Sequence, residues 1–149
     1  MQNLKQVFGI VSFETALLAK EEGFEEFVYY YYENKQILKE SRIENGSSTD
    51  VQFGVNLSDF LENYNYKGFN ALSAPRQPEL QKWLREKYKL HIEIIGFVSE
   101  DLETISYSFW IRNLRKYSDV IVNNENFNTY EAALEKGLQA GLKLIKNEL

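Results

Sequence analysis

The stretch FEEFVYYYYENKQ, residues 24–36, sets four tyrosines in succession, Tyr29, Tyr30, Tyr31 and Tyr32. Tyr and Val suit a pleated surface, and strand alternation places Phe27, Tyr29 and Tyr31 on one face and Val28, Tyr30 and Tyr32 on the other. A strand with one face in water carries polar residues at alternate positions, and here none comes before Glu33. Both faces therefore need a cover. The first reading is the chain's own Asn/Tyr-rich middle, the second a homodimer interface through residues 29–32, and the third stacked bases. Stacking of single-stranded nucleic acid requires a basic groove beside the aromatics. The neighbours are instead Glu25, Glu26 and Glu33, with Lys35 and Lys39 opposing them.

Outward from this strand, QILKES (36–41) predicts the second arm of a β-hairpin that turns around Glu33, Asn34 and Lys35. VQFGVNL, residues 51–57, predicts a third strand, and residues 58–74 lack a clean period and predict an irregular connection with a helical turn at LSDFLENY. Upstream, Ser12 is suited to cap a helix that carries Phe13, Ala16, Leu17 and Lys20 on one stripe. Gly23 supplies a left-handed stop, after which Phe24 folds back on the last turn.

The second half is more regular. Pro75 and Pro78 open a helix whose Leu80, Trp83, Leu84 and Tyr88 face the core, with Lys82 and Glu86 paired on the wet side. HIEIIGFV (91–98) and ISYSFWIRNL (105–114) alternate as antiparallel partners. Asn128 and Glu131 have capping-box spacing ahead of a long helix striped by Tyr130, Leu134, Leu138, Leu142, Ile145 and Leu149. Beside that stripe run Ala133, Gly137 and Gly141, a line of small residues. Each Gly costs a helix interior about 1 kcal/mol relative to Ala. The line therefore predicts close approach of the chain's own sheet or, as the second choice, a dimer seam. The expectation is an α+β fold: an antiparallel sheet built from hairpins, with about three helices packed on it, in a single compact domain spanning 1–149.

The 149 residues include no Cys, one His, 17 Lys+Arg and 22 Asp+Glu, for a net charge of −5. Thiolate–zinc sites, disulfides and cysteine nucleophiles are excluded. A net negative surface disfavours duplex nucleic acid, although a local basic pocket stays open. No stretch approaches membrane-spanning length and no signal peptide is read, and with no Cys a reducing cytoplasm is the expected setting. Phosphate-cradling glycine loops and a G-x-S-x-G elbow are absent. The lone His91 and the acidic clusters around Glu21, Glu22, Glu25 and Glu26 and around Glu100, Asp101 and Glu103 are expected to be structural or solvated. No cofactor and no metal are expected. The best small-ligand candidate is SAPRQPELQKWLR (73–85), where Arg76, Gln77, Lys82 and Arg85 could meet an anion at a helix start while Trp110 stacks on a base.

APRQPELQKWLREKYKLHIEI, YSFWI and TYEAALEKGLQAGLKLI together resemble blocks of a family of small proteins encoded by bacteriophages and prophages. The resemblance rests on Ala74, Pro75, Gln77, Leu80, Gln81, Trp83, Leu84, Arg85 and Glu86, and on Tyr130, Glu131, Ala133, Leu134, Glu135, Gly137 and Leu138. ALLAKEEGF (16–24) is similar to the family's first helix, and Arg76 and Pro78 depart from its small polar pattern. The resemblance implies a non-enzymatic phage accessory protein that acts by binding. In its sharpest form it is an anti-defence factor that sequesters a nucleotide signal or blocks a host protein. An enzyme acting on nucleotides or nucleic acid and a minor virion component are the alternatives.

Overall fold

In the computed structural model, residues 9–33, 37–40, 62–65, 71–116 and 118–148 are described. The fold is α+β and divides into two compact units, residues 1–76 and 77–149. Among the described residues the strands are shared between two antiparallel three-stranded sheets, one in each unit, rather than joined in one.

In the N-terminal unit, α1 (Phe13–Glu21) starts at Ser12, whose hydroxyl accepts the Thr15 N–H at 3.2 Å. Gly23 takes φ 82°, and the Phe24 N–H reaches back to the Ala19 carbonyl at 2.9 Å. The buried side of α1 is Thr15, Ala16 and Ala19, whereas Leu17 is 42% exposed. The expected stripe was rotated: small residues let α1 lie close to its support, and they outweigh the larger Leu. Strand β1 (Tyr30–Glu33) is the centre of its sheet, flanked by β2 (Ile37–Glu40) and β3 (Ala71–Ser73). Pairing of Glu33 with Ile37 and Tyr30 with Glu40 is the expected hairpin. The third strand is Ala71–Ser73, inside the stretch read as irregular. Three residues are too few to show a period, so only the pairing reveals it. The strand expected at 51–57 and most of the helical turn after it lie outside the described residues.

Three of the four tyrosines lie deep in this unit, Tyr30, Tyr31 and Tyr32, whereas Tyr29 is half-buried just ahead of the strand, edge-on to Tyr30. On one face the Tyr32 hydroxyl donates to the Val11 carbonyl at 2.6 Å, and Phe13 meets its ring edge-on. On the other, Tyr64 stacks on Tyr31 with 4.1 Å between centroids. Tyr64 belongs to the Asn/Tyr-rich middle. It is held by its backbone N–H on Ser73 Oγ, while Asn65 donates to the Phe24 carbonyl. Phe27, by contrast, is 70% exposed and precedes the strand.

In the C-terminal unit, α2 (Gln77–Trp83) continues into a π-helical turn, Leu84–Tyr88. Strands β4 (Leu90–Val98) and β5 (Ile105–Asn113) pair without interruption, Ile92 opposite Ile111 and Ile94 opposite Phe109. Strand β6 (Ser118–Val122) extends the sheet beyond β5, with a register shift at Ile111 and Arg112. It has no counterpart in the sequence reading, although the β-branched run Val120-Ile121-Val122 is its signal. Helix α3 (Tyr130–Glu148) is capped by Thr129, whose hydroxyl accepts the Ala132 N–H at 3.1 Å, one residue later than the expected Asn128 box. Leu134, Leu138, Leu142 and Ile145 are buried. A Cβ on Gly137 would lie 2.7 Å from Ile92 Cγ2, and one on Gly141 would lie 3.2 Å from Ile92 Cδ1. With Ala133 also fully buried, the small-residue line is the contact of α3 with its own sheet.

Candidate functional site

Within the C-terminal unit, the expected ligand residues Gln77 and Trp110 lie on opposite sides of the sheet. Arg76 belongs to the N-terminal unit, where its guanidinium lies 5.9 Å from the Tyr30 ring centroid. Gln77 is buried, and its amide donates to the Glu131 carbonyl and to Glu135 Oε2, both at 3.0 Å. It ties the start of α2 to α3, and an acidic side chain already lies where an external anion was expected. Lys82 and Glu86 pair at 3.8 Å with both side chains about two-thirds exposed, so their attraction is weak. Arg85 sits half-buried in the π-helical turn. Trp110 lies on the sheet face opposite the one that carries Ile92, Phe109 and α3. There Arg112 covers it at 5.5 Å and pairs with Glu93 at 3.1 Å.

A different set of residues does converge. The π-helical turn ends at Lys89, which takes φ 60° and donates its backbone N–H to the Leu84 carbonyl. A non-glycine residue in that conformation costs roughly 1 kcal/mol. The Lys89 ammonium also donates to the Glu86 carbonyl at 2.9 Å, which helps to hold the turn. The chain leaves this reversal directly into β4, so Tyr88 and Leu90 come to one rim of a cleft. At the far end of β5, Asn113 Oδ1 accepts the Arg115 N–H at 2.9 Å, and Leu114 donates its N–H to the Lys89 carbonyl at 2.8 Å. That turn swings Arg115 and Lys116 over the same rim. Leu144 and Ile145 of α3 form the remaining wall.

The cleft so formed is lined by Tyr88, Leu90, Asn113, Arg115, Lys116, Leu144 and Ile145 and measures about 110 Å³. That admits a cluster of waters or one phosphate-sized group, and is well below the ~300 Å³ of a site for a drug-sized molecule. Its polar lining consists of two cations, a phenol and an amide. Lys87 adds charge nearby, with its ammonium 5.4 Å from the Tyr88 ring centroid. The chain as a whole is acidic at −5, so this basic corner runs against the average. The C-terminal end of α3 opposes an anion with about half a negative charge. Arg115 and Lys116 bring two full positive charges, which outweigh it.

Sequence reasoning missed this site because its residues come from three separate segments, 88–90, 113–116 and 144–145. The signal that could have pointed to it is RNLRK, residues 112–116, which carries three cations in five positions. His91 stands in β4 opposite Arg112. Among the described residues no group of three His, Asp or Glu side chains is placed to hold a metal ion, and no helix is long and apolar enough to cross a membrane. No protein-family model, no curated protein and no solved structure matches the chain.

Proposed function

We propose that this protein acts by binding: it holds a small anionic group in the cleft beneath Arg115 and Lys116 and releases it unchanged. The supporting observation is the cleft itself, where those two cations, Tyr88 and Asn113 line one small cavity in an otherwise acidic chain. Such a lining offers donors to a phosphate or carboxylate, and Leu90, Leu144 and Ile145 offer an apolar wall to whatever the anion is attached to. In the phage accessory setting that the sequence resemblance implies, the ligand is a nucleotide-derived signal. Its terminal phosphate enters the cleft while its base remains outside, and sequestration serves an anti-defence role.

The test is a thermal-shift series with inorganic phosphate, mononucleotides and cyclic nucleotides, followed by chromatographic recovery of the ligand. A ligand at a hundred times its Kd stabilises the protein by about 2.7 kcal/mol. A rise in Tm is expected in the native chain and not in the Arg115→Ala, Lys116→Ala double variant, and the ligand should return intact. A flat series, or a shift that survives the double variant, refutes the reading. Recovery of a converted product replaces binding with catalysis.

A further inference from the structure

Strand β4 is an edge of the C-terminal sheet, which runs in the order β4-β5-β6. In an antiparallel pair, alternate residues direct both backbone groups at the partner. Lys89 and Ser99 face β5, since the Lys89 carbonyl accepts from Leu114 at 2.8 Å and the Ser99 N–H donates to Thr104 at 2.9 Å. By alternation Ile92, Ile94, Gly96 and Val98 direct theirs outward. The chain stops one of these itself: the Gln81 amide donates to the Ile92 carbonyl at 2.7 Å. The open edge thus begins at Ile94 and ends at Val98, where the turn starts, and it has no partner strand among the described residues.

Edge strands are ordinarily protected by charge, proline or a bulge. Residues 94–98, IIGFV, contain neither charge nor proline, and their register with β5 is unbroken. Around this edge the apolar side chains stand in water, with Phe97 47%, Val98 57%, Leu102 79% and Ile105 54% exposed.

We propose that this edge joins two copies of the chain, β4 against β4 in antiparallel sense about a two-fold axis at Gly96. The open span is symmetric about Gly96, so the register is set by its two limits, the Gln81 stopper and the turn at Ser99. Gly96 then pairs with its own copy, and Ile94 of each chain with Val98 of the other. About six inter-chain N–H···O bonds result, two for each such pair. Phe97 of each chain packs beside Ile95 of the other. Charge also permits a second copy: Glu93 comes opposite Ser99 rather than another acid, and Arg112 already neutralises it at 3.1 Å. The contact belongs to the small class, below about 1,200 Å² in total, so dimerisation is expected at roughly 10–100 μM.

The absence of native cysteine makes the test direct. Paired Cα atoms at such a position lie about 5.5 Å apart, within disulfide range. A Cβ at Gly96 makes only ordinary contact, 3.7 Å from the Tyr107 ring, so Gly96→Cys preserves the fold. Under mild oxidant Gly96→Cys should form covalent dimer at least tenfold faster than the exposed control Leu102→Cys. In sedimentation, the native chain should approach twice its monomer mass, whereas Val98→Lys should stay monomeric with an unchanged thermal melt. A native chain that is monomeric up to about 1 mM, equal cross-linking at 96 and 102, or a Val98→Lys variant that dimerises as the native chain does, each overturns the proposal.

Discussion

Adding one methyl group to α3 at Gly137 tests how the helix meets its sheet. The new Cβ would lie 2.7 Å from Ile92 Cγ2 and 3.2 Å and 3.3 Å from Phe109 Cγ and Cβ. Carbon atoms rest at about 3.5–4.0 Å. Neither neighbour can yield cheaply, because Cγ2 is bonded directly to the branched Cβ of Ile92 and the Phe109 atoms lie at the base of its ring. Both residues are buried. Overpacking of this kind costs about 1–3 kcal/mol, against about 1 kcal/mol gained from replacing helical Gly by Ala. Gly137→Ala is therefore expected to be destabilising by about 1 kcal/mol. At Gly141 the nearest atoms are Ile92 Cδ1 at 3.2 Å and Leu84 Cδ1 at 3.6 Å, both terminal methyls. There the helical gain prevails, and Gly141→Ala should be neutral or stabilising by up to about 1 kcal/mol. Urea unfolding followed by tryptophan fluorescence reads the correct unit, since Trp83 and Trp110 both lie in it. With a slope of about 2 kcal/mol/M, the two midpoints should differ by about 0.5–1 M. Ile92→Leu, which removes the branched methyl, should relieve Gly137→Ala, whereas Ile92→Val, which keeps it, should not. Equal midpoints for the two alanine variants, or a Gly137→Ala midpoint above the native one, refute the close approach.

Gln77→Ala removes both donations that tie α2 to α3, and a loss of about 1–3 kcal/mol is expected in the same urea assay; an unchanged midpoint would show the clamp to be idle. Tyr32→Phe deletes the bond to the Val11 carbonyl and should cost about 1 kcal/mol, read by near-ultraviolet circular dichroism of the tyrosines. At the β4–β5 turn, the hydrogen bond from the Ser99 hydroxyl and then that from the Glu103 N–H hold the Asp101 carboxyl below its usual range. A lowered folded pKa means that this local stabilisation is present above the unfolded pKa and is lost as pH falls through the folded one. The Glu103 amide resonance should accordingly titrate at more acid pH than an ordinary carboxylate. Asp101→Asn should remove the transition, and a normal midpoint in the native chain would contradict the assignment.

The elements most legible in the sequence were those whose evidence is local. Ser12, Gly23 and the Leu134–Leu138–Leu142–Ile145 stripe each act within a turn or two of helix, so their spacing carries the information. The pairing of β4 with β5 follows from alternation on both strands, and the tyrosine hairpin from residue type and a turn. Where competing residues were close in strength, spacing alone misled. Small Thr15, Ala16 and Ala19 took the buried face of α1 from Leu17, and Thr129 took the cap from Asn128. Strand β3 was hidden because three residues contain no period.

By itself the sequence determined the α+β class, the hairpin arms, the long C-terminal helix and the need to cover two aromatic faces of one strand. Those properties come from residue type and period, which the chain carries wherever it goes. Tertiary structure alone decided that the strands form two sheets, that Tyr64 and the Val11–Phe13 segment cover the tyrosines, and that Gly137 meets Ile92. It also withdrew Gln77 into a helix clamp and brought Tyr88, Asn113, Arg115 and Lys116 to one cleft. Each of those outcomes depends on long-range pairing and on which side chains win a shared space, and no spacing along the chain records it.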